Sequence, residues 1–376
     1  MAKATVYDVA AKAGVSIATV SRVLRRPTMV KQSTADQVLA AVRALGYVPS
    51  ASARGLAGRT TGVIGLYLPN LDAVDDPIET FDGHEPPARV IRDIPDSGRV
   101  RVRDLYFDEV LRGAELEAWR EGFVLTIGVG HDGDPERMVR DMAGRVDGLV
   151  VLARSVPDDV LGQLSGSIPI VLMAGPRHGD DFDHVAVTNS EGMRALTAHV
   201  VTELGVRDPV YVAGPTGSPD DAERYAGFVS ALTTAGVDAA ALRTLRGDFR
   251  REGGRTIARG LLTSGELPRA LVCGNDQMAL GILDVLVPAG IRVPDDVIVT
   301  GFDGIEESRL STPRLTTVRQ PMEELGRAAV RAMLERLDEP ERAPITRRLP
   351  VEVLLRESTE GSGAGTGAAA HGTADS

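Results

Sequence analysis

The chain has 376 residues, enough for two or three domains, with 43% hydrophobic and 25% charged residues. A single cysteine, Cys273, excludes an internal disulfide framework, and no apolar run approaches the ~18 residues of a membrane span. The net charge of −11 is unevenly spread: residues 1–60 carry nine basic and two acidic groups (+7), and the remainder carries 33 and 51 (−18).

A small basic head on an acidic body marks the head as the part that meets a polyanion, although a merely solvated basic face would carry the same charge. Ala, Lys and Asp interrupt the N-terminus, so it lacks a signal-peptide core and the expected location is the cytoplasm.

The first elements lie in YDVAAKAGVSIATVSRVL, Tyr7–Leu24. Thr5 can cap a helix whose Val6, Val9, Ala10 and Ala13 share one face, and Gly14 can end it in the left-handed conformation. Ser16 can cap a second helix with Val20, Val23 and Leu24 inward. A third helix is expected from about Ser33 or Thr34, presenting Val38, Leu39, Val42 and Leu45 and stopping at Gly46. Two short helices joined by a glycine corner form a helix-turn-helix, whose second helix enters a DNA major groove.

On that helix Arg22 suits the bidentate contact to guanine, and Ile17 and Ala18 suit a thymine methyl. Tyr7, Ser16, Thr19, Ser21 and Tyr47 carry hydroxyls suited to phosphates, and Arg25 adds phosphate affinity. PSASARGLAG, residues 49–58, is too short to hold a helix alone in water and reads as a linker.

The body, 62–359, alternates apolar strands with helical segments: strands are expected at 63–68, 123–129, 148–153, 169–174, 209–214, 269–274 and 296–302. That alternation argues for parallel sheets covered on both faces, with ligands bound beyond the carboxyl ends of the strands. No lysine follows Lys31, so a GxxxxGK[ST] phosphate loop is impossible in the body, and no GxGxxG follows a strand. The six histidines lack metal-ligand spacing and no G-x-S-x-G elbow occurs. No catalytic residue, metal or cofactor is expected.

TVYDVAAKAGVSIATVSRVL, VLAAVRALGYVPSASARGLAGRTTGVIGL, LVCGNDQMALGIL, VIVTGFDG, LTTVRQPMEELGRAAVRAML and VEVLLREST together resemble the lactose-repressor (LacI/GalR) family of bacterial regulators. The likeness spans nearly the whole chain except one insertion and the tail. It implies an all-α helix-turn-helix head (1–49), a hinge helix (50–61), and an α/β periplasmic-binding-protein-like type I body of two doubly wound subdomains (62–359). The first subdomain is expected at 62–188 and 320–343 and the second at 189–319 and 344–359. Crossings therefore fall near Thr188–Asn189, Arg319–Gln320 and Ala343.

The resemblance further implies that Leu56 wedges into the minor groove at the operator centre. It places Arg224, Phe249, Asn275 and Asp303 at an effector site, with the aromatic pair Tyr106 and Phe107 opening a helix beside it. Asn275 equally suits a helix N-cap, and Phe249 equally suits core packing. The implied function is a sequence-specific transcriptional regulator, a repressor, binding a palindromic operator as a homodimer under control of a sugar-class effector. A periplasmic sugar-binding protein or a doubly wound enzyme would share the body but lack the basic head.

Two segments stand apart. Residues 72–105 form an insertion: an acidic stretch with six acids and no Lys or Arg, followed by ARVIRDI-PDSG-RVRVRDL, which reads as a hairpin with an arginine-rich face at the cleft mouth, either a solvated, partly disordered surface loop or a lid over the ligand or the partner subunit. The tail, 360–376, has no leucine heptad and is expected to be disordered, without a coiled coil.

Overall fold

The computed structural model describes residues 5–25, 30–45, 61–69, 105–130, 135–175, 180–237 and 243–360. Tyr47, Leu56, the hinge at 50–60, the insertion at 72–104, the tail from 361 and the Arg25 side chain lie outside the described residues.

Three helices form the head: α1 (Val6–Ala13), α2 (Ile17–Arg25) and α3 (Gln32–Leu45). Val9, Ala10 and Ala13 meet Val20 and Val23 of α2 and Ala35, Val38 and Ala41 of α3 in one apolar core. The third helix begins slightly earlier than expected, and Leu39 is 38% exposed, because Ala35, Val38 and Ala41 supply the buried stripe instead.

The body follows as β1 (Val63–Leu68), α4 (Leu105–Arg120), β2 (Val124–Val129), α5 (Pro135–Ala143), β3 (Gly148–Leu152), α6 (Asp158–Ser165), β4 (Ile170–Met173) and β5 (Asp183–Val187). Next come α7 (Asn189–Ala198), β6 (Val210–Ala213), α8 (Pro219–Thr234), β7 (Thr244–Arg246), α9 (Arg251–Ser264), β8 (Ala270–Cys273), α10 (Asp276–Leu286) and β9 (Ile298–Asp303). The last elements are α11 (Glu306–Leu310), β10 (Thr316–Arg319), α12 (Met322–Asp338), β11 (Thr346–Leu349), β12 (Glu352–Leu354) and α13 (Glu357–Glu360).

These strands build two six-stranded sheets, ordered β11-β5-β4-β3-β1-β2 and β12-β10-β9-β8-β6-β7. Every pairing is parallel except β10–β12. In the first lobe Ile64, Leu66 and Val150 bury one face against Val110, Ala114 and Ala329 of α4 and α12. Tyr67, Leu149 and Val151 bury the other against Val139, Met142 and Leu161 of α5 and α6. A strand such as VIGLYL is apolar throughout because helices cover both its sides. The second lobe repeats the plan, with Val212 and Val299 facing α9 and α10, and Tyr211 and Phe302 facing α7 and α8.

The chain passes between lobes after β5, after β10 and after β11. The last passage corrects the expectation of a crossing at Ala343. β11 pairs with β5, Arg347 opposite Val185, so residues 344–349 belong to the first lobe and the crossing falls between Leu349 and Glu352. Arg336, Arg342 and the Ile345 amide all hold Asp183 at the start of β5, which keeps this segment on the first sheet.

Candidate functional site

In the head, the Thr5 hydroxyl accepts from the Asp8 amide while the Asp8 carboxylate takes the Thr5 amide, a reciprocal cap of α1. Gly14 follows at φ 61° and its N–H returns to Ala10 and Ala11 carbonyls. Ser16 then restarts the chain: its hydroxyl accepts from the Thr19 amide at 3.1 Å and lies 2.9 Å from the Thr19 hydroxyl. Burial of Val20 and Val23 turns the opposite side of α2 outward, leaving Ile17, Ala18 and Arg22 exposed and Thr19 and Ser21 half-buried. Tyr7 on α1 is also exposed.

The chain enters the body through Thr61 and Gly62, whose amides both donate to the Asp147 carboxylate ahead of β3. From there the strands run toward the space between the lobes, and polar groups collect at their carboxyl ends.

Arg224 of α8 is 5% exposed. Its Nε donates to Asn189 Oδ1 at 2.9 Å and one Nη to the Gly274 carbonyl at 2.7 Å. The same Nη is 3.5 Å from Asp303 Oδ1 at the end of β9. The guanidinium lies over the Phe302 ring and, further off at 5.8 Å, the Phe249 ring. Burial works against its charge, but Asp303, Asp220, Tyr211 and Tyr106 together hold the group above its ordinary pKa. Tyr106, the smallest of these influences, belongs to the start of α4 in the first lobe. Its ring packs edge-on against Phe107 at 5.0 Å.

Asn275 caps α10: its Oδ1 accepts from the Met278 amide at 3.0 Å, and its Nδ2 donates to the Phe249 carbonyl at 2.9 Å. The Phe249 ring lies directly over Gly214, where a Cβ would meet Cε1 at 2.2 Å, so a glycine is required beneath it. Four described residues other than glycine have positive φ: Arg154, Ala174, Phe249 and Asp303. All four sit at or just beyond the carboxyl ends of β3, β4, β7 and β9. Strained backbone of this kind costs about 1–3 kcal/mol per residue and clusters where ligands bind.

Arg224, Phe249, Asn275 and Asp303 therefore converge. Four participants were missed in the sequence: Phe302, which stacks on Arg224; Gln320, whose Nε2 donates to Asp303 at 2.7 Å; and Asn189 and Asp220, bonded at 2.8 Å. Phe302 and Gln320 lie inside recognisable motifs, VIVTGFDG and LTTVRQ. Nothing local marks Asp220.

Beside Asn275, burial pushes the Asp276 carboxyl up to about 6, against hydrogen bonds from Thr317, Ile305 and Gly304. A cavity of 560 Å³, bordered by Arg154, Tyr225 and Arg246, opens past the ends of β6 and β7. None of the six expected effector residues lines it. No group of His, Cys, Asp and Glu able to hold a metal ion occurs among the described residues. No described helix is long and apolar enough to cross a membrane.

A helix-turn-helix head with a two-lobed body whose cleft gathers polar side chains at strand ends defines a ligand-responsive DNA-binding regulator. Residues 5–50 match the family of bacterial regulatory proteins, lacI family, and residues 198–359 match the periplasmic binding protein-like domain. The HTH-type transcriptional repressor PurR of Erwinia tasmaniensis is 32% identical over 339 residues, 89% of this chain and 90% of that protein. PurR of Haemophilus influenzae is 34% identical over 343 residues, 89% and 91%.

Among solved structures, the lac repressor dimer bound to operator and the anti-inducer ONPF superposes with a TM-score of 0.72 at 25% identity, covering 95% of this chain and 99% of that one. The regulator CelR in complex with cellobiose gives 0.65 at 28%, covering 95% and 100%. The chain belongs to the lacI family of bacterial regulatory proteins. It is a DNA-binding transcriptional regulator with an effector-binding body, and like its relatives not an enzyme.

Proposed function

We propose that the protein is a cytoplasmic homodimeric repressor that grips a palindromic operator and is controlled by a sugar-class effector held between its lobes. Ile17, Ala18 and Arg22 read base edges, and Leu56 wedges the minor groove. Tyr7, Ser16, Thr19, Ser21, Arg25 and Tyr47 fix the phosphates. The effector rests on Phe249 and is held by Arg224, Asp303 and Asn275, with Tyr106 and Phe107 closing from the first lobe.

The observation that carries this reading is the buried Arg224, stacked on Phe302, bonded at its edges and paired with Asp303 between the lobes. A hydroxylated ring needs such a set, an apolar face with fixed polar partners around it. The complex of the similar regulator CelR with cellobiose supports the sugar class.

Selection of bound duplexes from a random pool, followed by gel shifts on palindromic and half-site DNA, tests the DNA arm. A two-fold symmetric consensus is expected, and an asymmetric one would refute the dimer. Thermal shifts against sugars, nucleosides and amino acids test the other arm. Stabilisation by sugars is expected, and a response confined to nucleosides or amino acids would refute the sugar class.

A further inference from the structure

Asn189 is the first residue after the chain leaves β5 for the second lobe, and it is fully buried. Each arm of its amide is used. Oδ1 accepts from Arg224 Nε at 2.9 Å, while Nδ2 donates to Asp220 Oδ1 at 2.8 Å and Glu223 Oε2 at 3.2 Å.

Both carboxylates reach back to the first lobe. Asp220 Oδ1 accepts from the Gly175 amide beyond β4 at 3.1 Å, and Glu223 Oε1 accepts from Arg348 Nη2 of β11 at 2.8 Å. One amide thus joins the guanidinium that pairs with Asp303 to the two acids that hold the lobes together.

We propose that Asn189 is the positioning residue that couples the effector cleft to lobe closure. With no net charge, it can satisfy a cation and two anions at once. Any shift of Arg224 toward a ligand pulls on Oδ1, and the rigid amide plane moves both donors with it. The lobe-to-lobe bonds at Gly175 and Arg348 are then re-aimed together rather than singly. Only the consequence for regulation rests on the effector reading above; the coupling itself rests on the hydrogen bonds of Asn189, Asp220 and Glu223.

The test therefore needs no effector. Spin labels on full-length protein carrying Glu121→Cys in the first lobe and Thr263→Cys in the second report the interlobe distance, because Cys273 is buried and unreactive. Asn189→Asp keeps the shape and the acceptor for Arg224 but turns both donors into a charge facing Asp220 and Glu223.

Loss of the dominant short-distance population is expected, with Arg348→Ala producing a similar change and the double variant no further one. Adding Asp220→Asn to Asn189→Asp restores a donor–acceptor pair and should recover the short distance, which a merely structural defect would not do. An unchanged distribution in Asn189→Asp, or additive effects of Asn189→Asp and Arg348→Ala, would overturn the proposal. Should Asn189→Asp fail to fold, Arg348→Ala and Glu223→Gln decide alone, an unchanged distance in both overturning it. A chain that behaved as expected yet answered to no small molecule would instead refute the effector reading.

Discussion

The guanidinium carbon of Arg224 lies 4.0 Å from the centroid of the Phe302 ring, which is wholly buried in the core of the second lobe. The ring fixes the guanidinium plane, so the edge facing Asp303 is set before any ligand arrives. Lysine at this position would keep the charge and lose both the stack and the fork. Arg224→Lys is therefore expected to fold and to bind operator while losing the small-molecule response. Arg224→Ala should cost more, about 3–5 kcal/mol, because the buried Asp303 loses its cation. Thermal melts beside operator titrations separate the two variants, and a normal effector response in Arg224→Lys would count against the site.

In the head, Ser16 at the start of α2 and Arg22 on its exposed face should fail differently. Ser16→Ala removes the side-chain cap of α2, costing about 0.5–2 kcal/mol and lowering affinity for every DNA sequence alike. Arg22→Ala removes one base contact, costs about 1–3 kcal/mol and relaxes preference at one base pair per half-site. Binding assays over a set of single-base operator variants would show this contrast. An unaltered sequence preference in Arg22→Ala would place the reading face elsewhere.

The legibility of this chain divides along a physical line. The strand at 63–68 and the Gly14 corner were readable because apolar runs and a helix-ending glycine are local signals. Short edge strands such as Thr346–Leu349 were not, since TRRL has no apolar run and is held by Arg336 and Arg342 gripping Asp183 some 150 residues away in sequence. Arg224 and Asp303 were legible through a family motif. Asn189 was legible only as a crossing point, because its partners come from α8, and only folding sets them beside it.

The same Asp183 predicts an acid limit to stability. Burial raises its carboxyl pKa, but hydrogen bonds from Arg336 and the Ile345 amide and the charges of Arg336 and Arg342 outweigh it, leaving the value below the ordinary 3.8. A carboxylate depressed in the folded state contributes fully above its unfolded value and loses that contribution as pH falls through its folded one. Glu117, held chiefly by Arg331, and Asp284, buried but held by Arg251 and Arg255, behave alike. The melting temperature should therefore drop steeply below about pH 4. Asp183→Asn should flatten that limb, and an equally steep loss in the variant would show that Asp183 is not a cause.

Finally, two glycine-to-alanine changes should move stability in opposite directions. Gly113 of α4 faces α12 so closely that a Cβ would stand 1.8 Å from the Glu323 carbonyl oxygen. The approach is reciprocal: a Cβ on Gly326 would stand 2.0 Å from the Val110 carbonyl oxygen. Backbone cannot swing aside as a side chain can, so the helices must separate, and overpacking of this kind costs about 1–3 kcal/mol or more. Alanine's helix preference of about 1 kcal/mol over glycine does not offset that. Gly260 lies inside α9 with nothing within 4 Å of its would-be Cβ, so there the preference acts unopposed. Gly260→Ala should raise stability by about 0.5–1 kcal/mol, a melting shift of roughly 1–2 °C for a body of this size. Gly113→Ala should lower it by at least as much, and if both variants shifted the melt in the same direction, the close contact of α4 with α12 would not be what sets the sign.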